Sequence, residues 1–90
     1  MTDYKLRLYI TGSSDLSQRT VASLRQILAE RGANYSLTII DCLADSQQAQ
    51  EDRILATPTL LVLEPAPVRR ISGDLSAPHR LRRILDLPVD

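Results

Sequence analysis

Five consecutive residues, Thr59-Leu60-Leu61-Val62-Leu63, are apolar or β-branched and are fenced by prolines, Pro58 before them and Pro65 and Pro67 after. A run this short and this uniformly apolar reads as a strand covered on both faces. The Ala56-Thr57-Pro58-Thr59 turn feeds it, and Pro65-Ala66-Pro67 turns the chain back. Val68 to Ser72 then returns as a short second strand that closes at Gly73-Asp74. A hairpin of this kind needs the rest of the chain on either side of it.

The preceding sequence supplies that cover. Tyr4 to Thr11 alternates Leu6, Leu8 and Ile10 against Lys5, Arg7 and Tyr9, a strand period. A polar loop, Thr11 to Asp15, leads to a helix capped by Asp15 or Ser17. Its apolar stripe is Leu16, Val21, Leu24, Ile27 and Leu28, and Gly32 is a left-handed stop. Tyr35 to Asp41 is a second strand carrying Leu37, Ile39 and Ile40. Asp45 or Ser46 caps a helix expected to run to about Leu55, with Ala49 and Ile54 on its buried side. After the hairpin, Ser76 caps a last helix whose Leu81, Ile84 and Leu85 share one face. Pro78 is tolerated in its first turn, and Pro88 ends it. The order is βαβαββα, one α/β domain over residues 1–90, with strand 1 to strand 2 a parallel crossover.

Composition excludes more than it assigns. The 90 residues are 43% hydrophobic but contain no Phe or Trp, so the core is aliphatic. Net charge is zero, so no global field draws the chain to nucleic acid or a membrane. No stretch approaches the roughly 18 apolar residues a transmembrane helix needs. Met1-Thr2-Asp3-Tyr4-Lys5 lacks a signal-peptide pattern, and a cytoplasmic location is expected. One cysteine, Cys42, rules out an internal disulfide and a Cys-rich zinc site. His79 stands in no ligand cluster, Gly12-Ser13-Ser14 is no phosphate loop, and no nucleophile is paired with a base. No cofactor, metal or catalytic residue is expected.

An X-Pro bond just before a strand is where a thioredoxin-like fold places a cis-proline, and Pro58 occupies that place. The redox Cys-x-x-Cys that would face it is replaced by Thr11-Gly12-Ser13-Ser14. The runs Leu8-Tyr9-Ile10-Thr11-Gly12, Tyr35 to Asp41, Glu51 to Leu60 and Pro67 to Ser76 resemble the KaiB family of circadian clock proteins. The resemblance covers residues 4 to about 76 without large gaps. A weaker similarity is to the KaiB-like sensor domain of the clock kinase SasA. What the resemblance implies is a non-enzymatic regulator that binds the ATPase ring of a KaiC-type hexamer and modulates its phosphorylation. KaiA-like or SasA-like proteins are implied as further partners. It also implies two folds, a thioredoxin-like βαβαββα state and an alternative βαββααβ state that is usually tetrameric. Monomer, dimer and tetramer are all open for this chain.

The sequence departs from that family in the last helix. Members often carry a Gly in a Gly-Leu-Asp-Leu context where this chain has Ile84-Leu85-Asp86-Leu87. Gly costs about 1 kcal/mol in a helix interior relative to Ala, and Ile less. Ile84 should therefore favour the helical, thioredoxin-like state. Pro58, Pro65 and Pro67, with Gly73 and Asp74, are the positions expected to govern switching, since proline isomerisation is slow. Partner contact is expected at Arg19, Arg25, Tyr35 and Thr38, and at Arg69-Arg70 on the hairpin, where arginine can form bidentate contacts with carboxylates. A stress-response adaptor outside any clock is the alternative role. A thiol oxidoreductase using Cys42 is disfavoured, because that residue reads as a small buried hydrophobe.

Overall fold

A computed structural model describes residues 3–32, 34–73 and 75–86. Seven elements follow in the expected order: β1 (Tyr4–Ile10), α1 (Asp15–Glu30), β2 (Tyr35–Asp41), α2 (Ser46–Glu51), β3 (Thr59–Glu64), β4 (Arg69–Ser72) and α3 (Pro78–Asp86). The four strands form one sheet in the order β2-β1-β3-β4. β1 pairs parallel to β2 over their full length, from Tyr4 opposite Tyr35 to Ile10 opposite Asp41. β3 runs antiparallel to β1, with Leu8 opposite Leu60, and β4 closes the hairpin with Ile71 opposite Leu60.

The apolar run of β3 is buried because both of its faces are used. Leu60 and Val62 join Leu6 and Leu8 of β1 against Leu24, Ile27 and Leu28 of α1 and Leu81, Ile84 and Leu85 of α3. Leu61 turns the other way, with Tyr9 and Ala49, into a smaller cluster under α2. Tyr9 is therefore fully buried, although the alternation of β1 assigned it to a polar face. The second face is covered at β1 as it is at β3, and the alternating period of β1 alone cannot reveal that.

Three helix boundaries differ from expectation. The cap of α1 is Ser14, not Asp15 or Ser17. Its extended backbone (φ −61°, ψ 161°) lets Oγ accept the Ser17 amide at 3.1 Å, and Asp15 falls in the first turn, where its charge meets the positive end of the helix. Ser17 itself is buried. Helix α2 is capped by Asp45 as expected but ends at Glu51, well before Leu55. Arg53 takes φ +55°, which breaks the helix, and Leu55 is left 98% exposed. Helix α3 begins at Pro78, and the Ala77 carbonyl accepts the Arg80 and Leu81 amides. Proline fits the first helical position because that residue's N–H has no helical partner, so the cap position is Ala77 and not Ser76.

Gly32 ends α1 at φ +64°, as its placement predicted. The Thr57–Pro58 bond is cis, and so are Glu64–Pro65 and Ala66–Pro67. Gly73 is left-handed at φ +111° with the Arg80 guanidinium packed over it. Asp74, Leu87 and Pro88 lie outside the described residues.

Candidate functional site

The strand order decides where the expected contact residues lie. β2 and β4 are the two edges of the sheet, so the two sets are separated. Tyr35 and Thr38 sit exposed on β2, whose outer side pairs with no strand among the described residues. Arg19 and Arg25 are exposed on α1, which packs beside that edge. Arg69 and Arg70 are on the opposite edge.

Between α1 and β2 runs a groove of about 740 Å³, bordered by Ile10, Gly12, Val21, Arg25, Ile39 and Asp41. It exists because Val21 and Ile39 are only half-covered where the helix crosses an edge strand. Arg25 has no hydrogen-bond or ion-pair partner among the described residues, and its guanidinium is open to an incoming carboxylate. Arg19 instead pairs with Asp15 one turn back at 3.1 Å, both largely exposed, an interaction worth a few tenths of a kcal/mol and readily exchanged.

Asp41 fixes the mouth of this groove. Its Oδ1 accepts the amides of Gly12 and Leu43, each at 2.9 Å, tying the β1–α1 loop to the end of β2. Those two backbone donors hold its carboxyl below the usual range. The loop is secured again where Thr11 Oγ1 meets Thr57 Oγ1 at 2.6 Å, and where Gln18 Nε2 donates to the Ser13 carbonyl at 2.8 Å. A hydroxyl, that of Thr11, thus stands at the first position of the Cys-x-x-Cys equivalent and faces the hydroxyl of Thr57 beside Pro58. Cys42 is half-buried, and burial together with the Asp41 charge pushes its thiol up, away from the reactive thiolate. No group of three potential metal ligands occurs among the described residues.

The hairpin arginines are engaged within the fold. Arg69 is half-buried and donates from Nη1 to the Ile84 carbonyl at 2.7 Å, at the end of α3. Arg70 donates to the carbonyls of Asp52 at 2.6 Å and Arg53 at 3.0 Å. Sequence reasoning missed the group beside them. Arg7 Nη1 donates to Asp52 at 2.8 Å, and the Tyr9 hydroxyl donates to the same carboxylate. The Tyr9 hydrogen bond, then Arg7, lowers the Asp52 pKa, while burial and then Asp52 raise that of Tyr9. The available signal was that Arg7 and Tyr9, two apart on one strand, share a face.

The family model for the KaiB domain matches residues 7–87. A circadian clock oscillator protein KaiB from Prochlorococcus marinus (strain MIT 9303) is 49% identical over 89 residues, spanning 97% of this chain and 74% of that protein. The chain belongs to the KaiB family. A second KaiB, from Parasynechococcus marenigrum (strain WH8102), is 49% identical over 88 residues, 97% of this chain and 85% of its own. Among solved structures, the N-terminal domain of Synechococcus elongatus SasA superposes with a TM-score of 0.79 at 25% identity, covering 99% of this chain and 85% of that one. Chloroplastic thioredoxin z gives 0.79 at 16% identity, covering 96% and 78%, a likeness of fold alone. The KaiB relatives carry the names of clock oscillator proteins, and this member has their domain in a thioredoxin-like arrangement. No described helix is long and apolar enough to cross a membrane.

Proposed function

We propose that this KaiB-family chain is a non-enzymatic clock regulator that docks on the ATPase ring of a KaiC-type hexamer, in the cytoplasm, and modulates its phosphorylation state. The observation that carries the proposal is a KaiB match over residues 7–87 on a fold shared with the SasA N-terminal domain. Two clock components with one fold are suited to compete for one surface, and a SasA-like kinase is the competitor proposed here. A KaiA-like protein is a further candidate partner.

The contact is assigned to the α1–β2 side. Arg25 is open there, Arg19 can exchange Asp15 for a partner carboxylate, and Tyr35 and Thr38 offer backbone groups along an unpaired strand edge. An exposed edge pairs readily with an added strand. Arg69 and Arg70 contribute indirectly by holding α3 and the end of α2 in place, with Arg70 also partly available at the surface. The thioredoxin-like state is proposed as the binding state. Pro58, Pro65, Pro67, Gly73, Asp74 and Ile84 are proposed to set its balance against the alternative fold.

Size-exclusion chromatography with multi-angle light scattering tests docking, with the chain run alone and then mixed with a KaiC-type hexamer. The expected result is a monomer or dimer that moves wholly onto the ring, and Arg25→Glu reduces the bound fraction. A tetramer that binds only over hours would place the resting state in the other fold. No co-elution at any ratio would overturn the docking proposal.

A further inference from the structure

Helix α2 has little apolar hold on the sheet. Of its six residues only Ala49 is buried, and Ile54, just beyond it, is half-buried. What reaches across to the helix is polar and converges on its end. Asp52, the C-cap, takes hydrogen bonds from Arg7 and Tyr9 of β1. The backbone carbonyls of Asp52 and Arg53 accept from Arg70 of β4. Three side chains from two strands therefore grip two consecutive residues, at the point where Arg53 turns left-handed. The pair is shielded, with the Arg7 and Asp52 side chains 29% and 21% exposed, so solvent does not cancel it as it would an open surface pair. Beneath lie Tyr9, Leu61, Ile40, Cys42 and Leu63, an apolar sheet face that no other described helix covers. The opposite face is held differently, by close aliphatic packing of α1 and α3.

We propose that α2 is a flap latched to the sheet through its C-cap, with Arg7 and Tyr9 on the Asp52 carboxylate and Arg70 on the adjoining carbonyls. Release of the latch uncovers the apolar face around Tyr9, Leu61 and Cys42 while the α1–α3 side stays folded. The device is separate from ring docking and does not rest on it. Opening is a sub-global event, because the groups that must part are few and polar and the main core is not among them.

Native-state amide exchange followed by NMR tests this, with iodoacetamide alkylation of Cys42 as a second readout. In Asp52→Ala the amides of Asp52 and Ile54, which bond to the carbonyls of Gln48 at 3.1 Å and Ala49 at 2.9 Å, should exchange on the order of tenfold faster. Cys42 alkylation should accelerate with them, while the amides of Leu24, Ile27 and Leu81 keep their wild-type rates. Arg70→Ala, which leaves the carboxylate cluster intact, should give the same pattern with a smaller factor. Adding Arg7→Leu to Asp52→Ala should change little further, since the carboxylate that Arg7 grips is already gone and the Arg70 contacts to backbone carbonyls are common to both. Unchanged α2 amides in both single variants would overturn the proposal. So would acceleration of the α1 and α3 amides by the same factor, which would mean that the contacts stabilise the whole fold and not a flap.

Discussion

Asp41 and Asp52 each tie distant parts of this chain together, and their chemistry is exposed to a simple test. Both have folded-state pKa values lowered from the ordinary range, Asp41 by two backbone donors and Asp52 by Tyr9 and Arg7. Each therefore contributes stability above an unfolded value of about 3.9, and that contribution is lost as pH falls through the lower folded value. Tyr9 and Cys42 have raised values, so theirs is present at lower pH and lost as pH climbs through the folded values. A denaturation midpoint measured across pH should show a plateau near neutrality, an acid fall below about pH 4 that Asp52→Asn makes shallower, and an alkaline fall above about pH 9. Tyr4 offers a second test. Its hydroxyl donates to the Leu85 carbonyl at 3.0 Å inside the core, so Tyr4→Phe should cost about 1 kcal/mol by urea unfolding. Asp41 was legible in the sequence as the last residue of the second strand, the place from which it reaches the amides of Gly12 and Leu43. Asp52 was not, since Tyr9 and Arg7 lie 43 and 45 residues away.

Helices α1 and α3 were legible as elements because their apolar stripes follow the helical period, and α1 ends at a recognisable stop, Gly32. Their first residues were less so. Three serines and an aspartate crowd the start of α1, and only the loop geometry selects Ser14. Ser14→Ala should lower stability by about 1 kcal/mol, and Ser17→Ala should not reproduce that through capping. Helix α2 was drawn too long because Ile54 and Leu55 look like its continuation. The left-handed Arg53, held by Arg70, is a tertiary effect that no local pattern announces. In α3, Ile84 is helical and buried at 8% exposure against the main core. Ile84→Gly removes both packing and helix propensity, so a loss of about 3 kcal/mol or more is expected in thermal or chemical unfolding. Arg82→Ala, which breaks a pair with Glu30 at 3.2 Å between side chains near half exposed, should cost no more than about 0.5 kcal/mol.

At the scale of the molecule, sheet order turns one expected set of partner-binding residues into two. Arg25, Tyr35 and Thr38 share the β2 side, while Arg69 and Arg70 stand on the β4 side and are bonded to backbone carbonyls. Sequence spacing could not show this, because strands adjacent in the chain need not be neighbours in the sheet. The fold itself was readable from the doubly buried β3 and its prolines. That the cover of the second face reaches Tyr9 of β1 was not, because the alternation of β1 reads as one polar face. Charge reversal separates the two edges. Arg25→Glu should weaken binding to a KaiC-type ring at least tenfold in titration calorimetry with the fold intact, whereas Arg70→Glu should act mainly through lost stability. This KaiB-family chain is proposed to rest in the thioredoxin-like state from which it docks. Backbone carbon-13 chemical shifts of the free chain in solution test it most directly. Helical shifts through Pro78–Asp86 and strand shifts through Arg69–Ser72 are the predicted result. Strand shifts across residues 80–86 would contradict it.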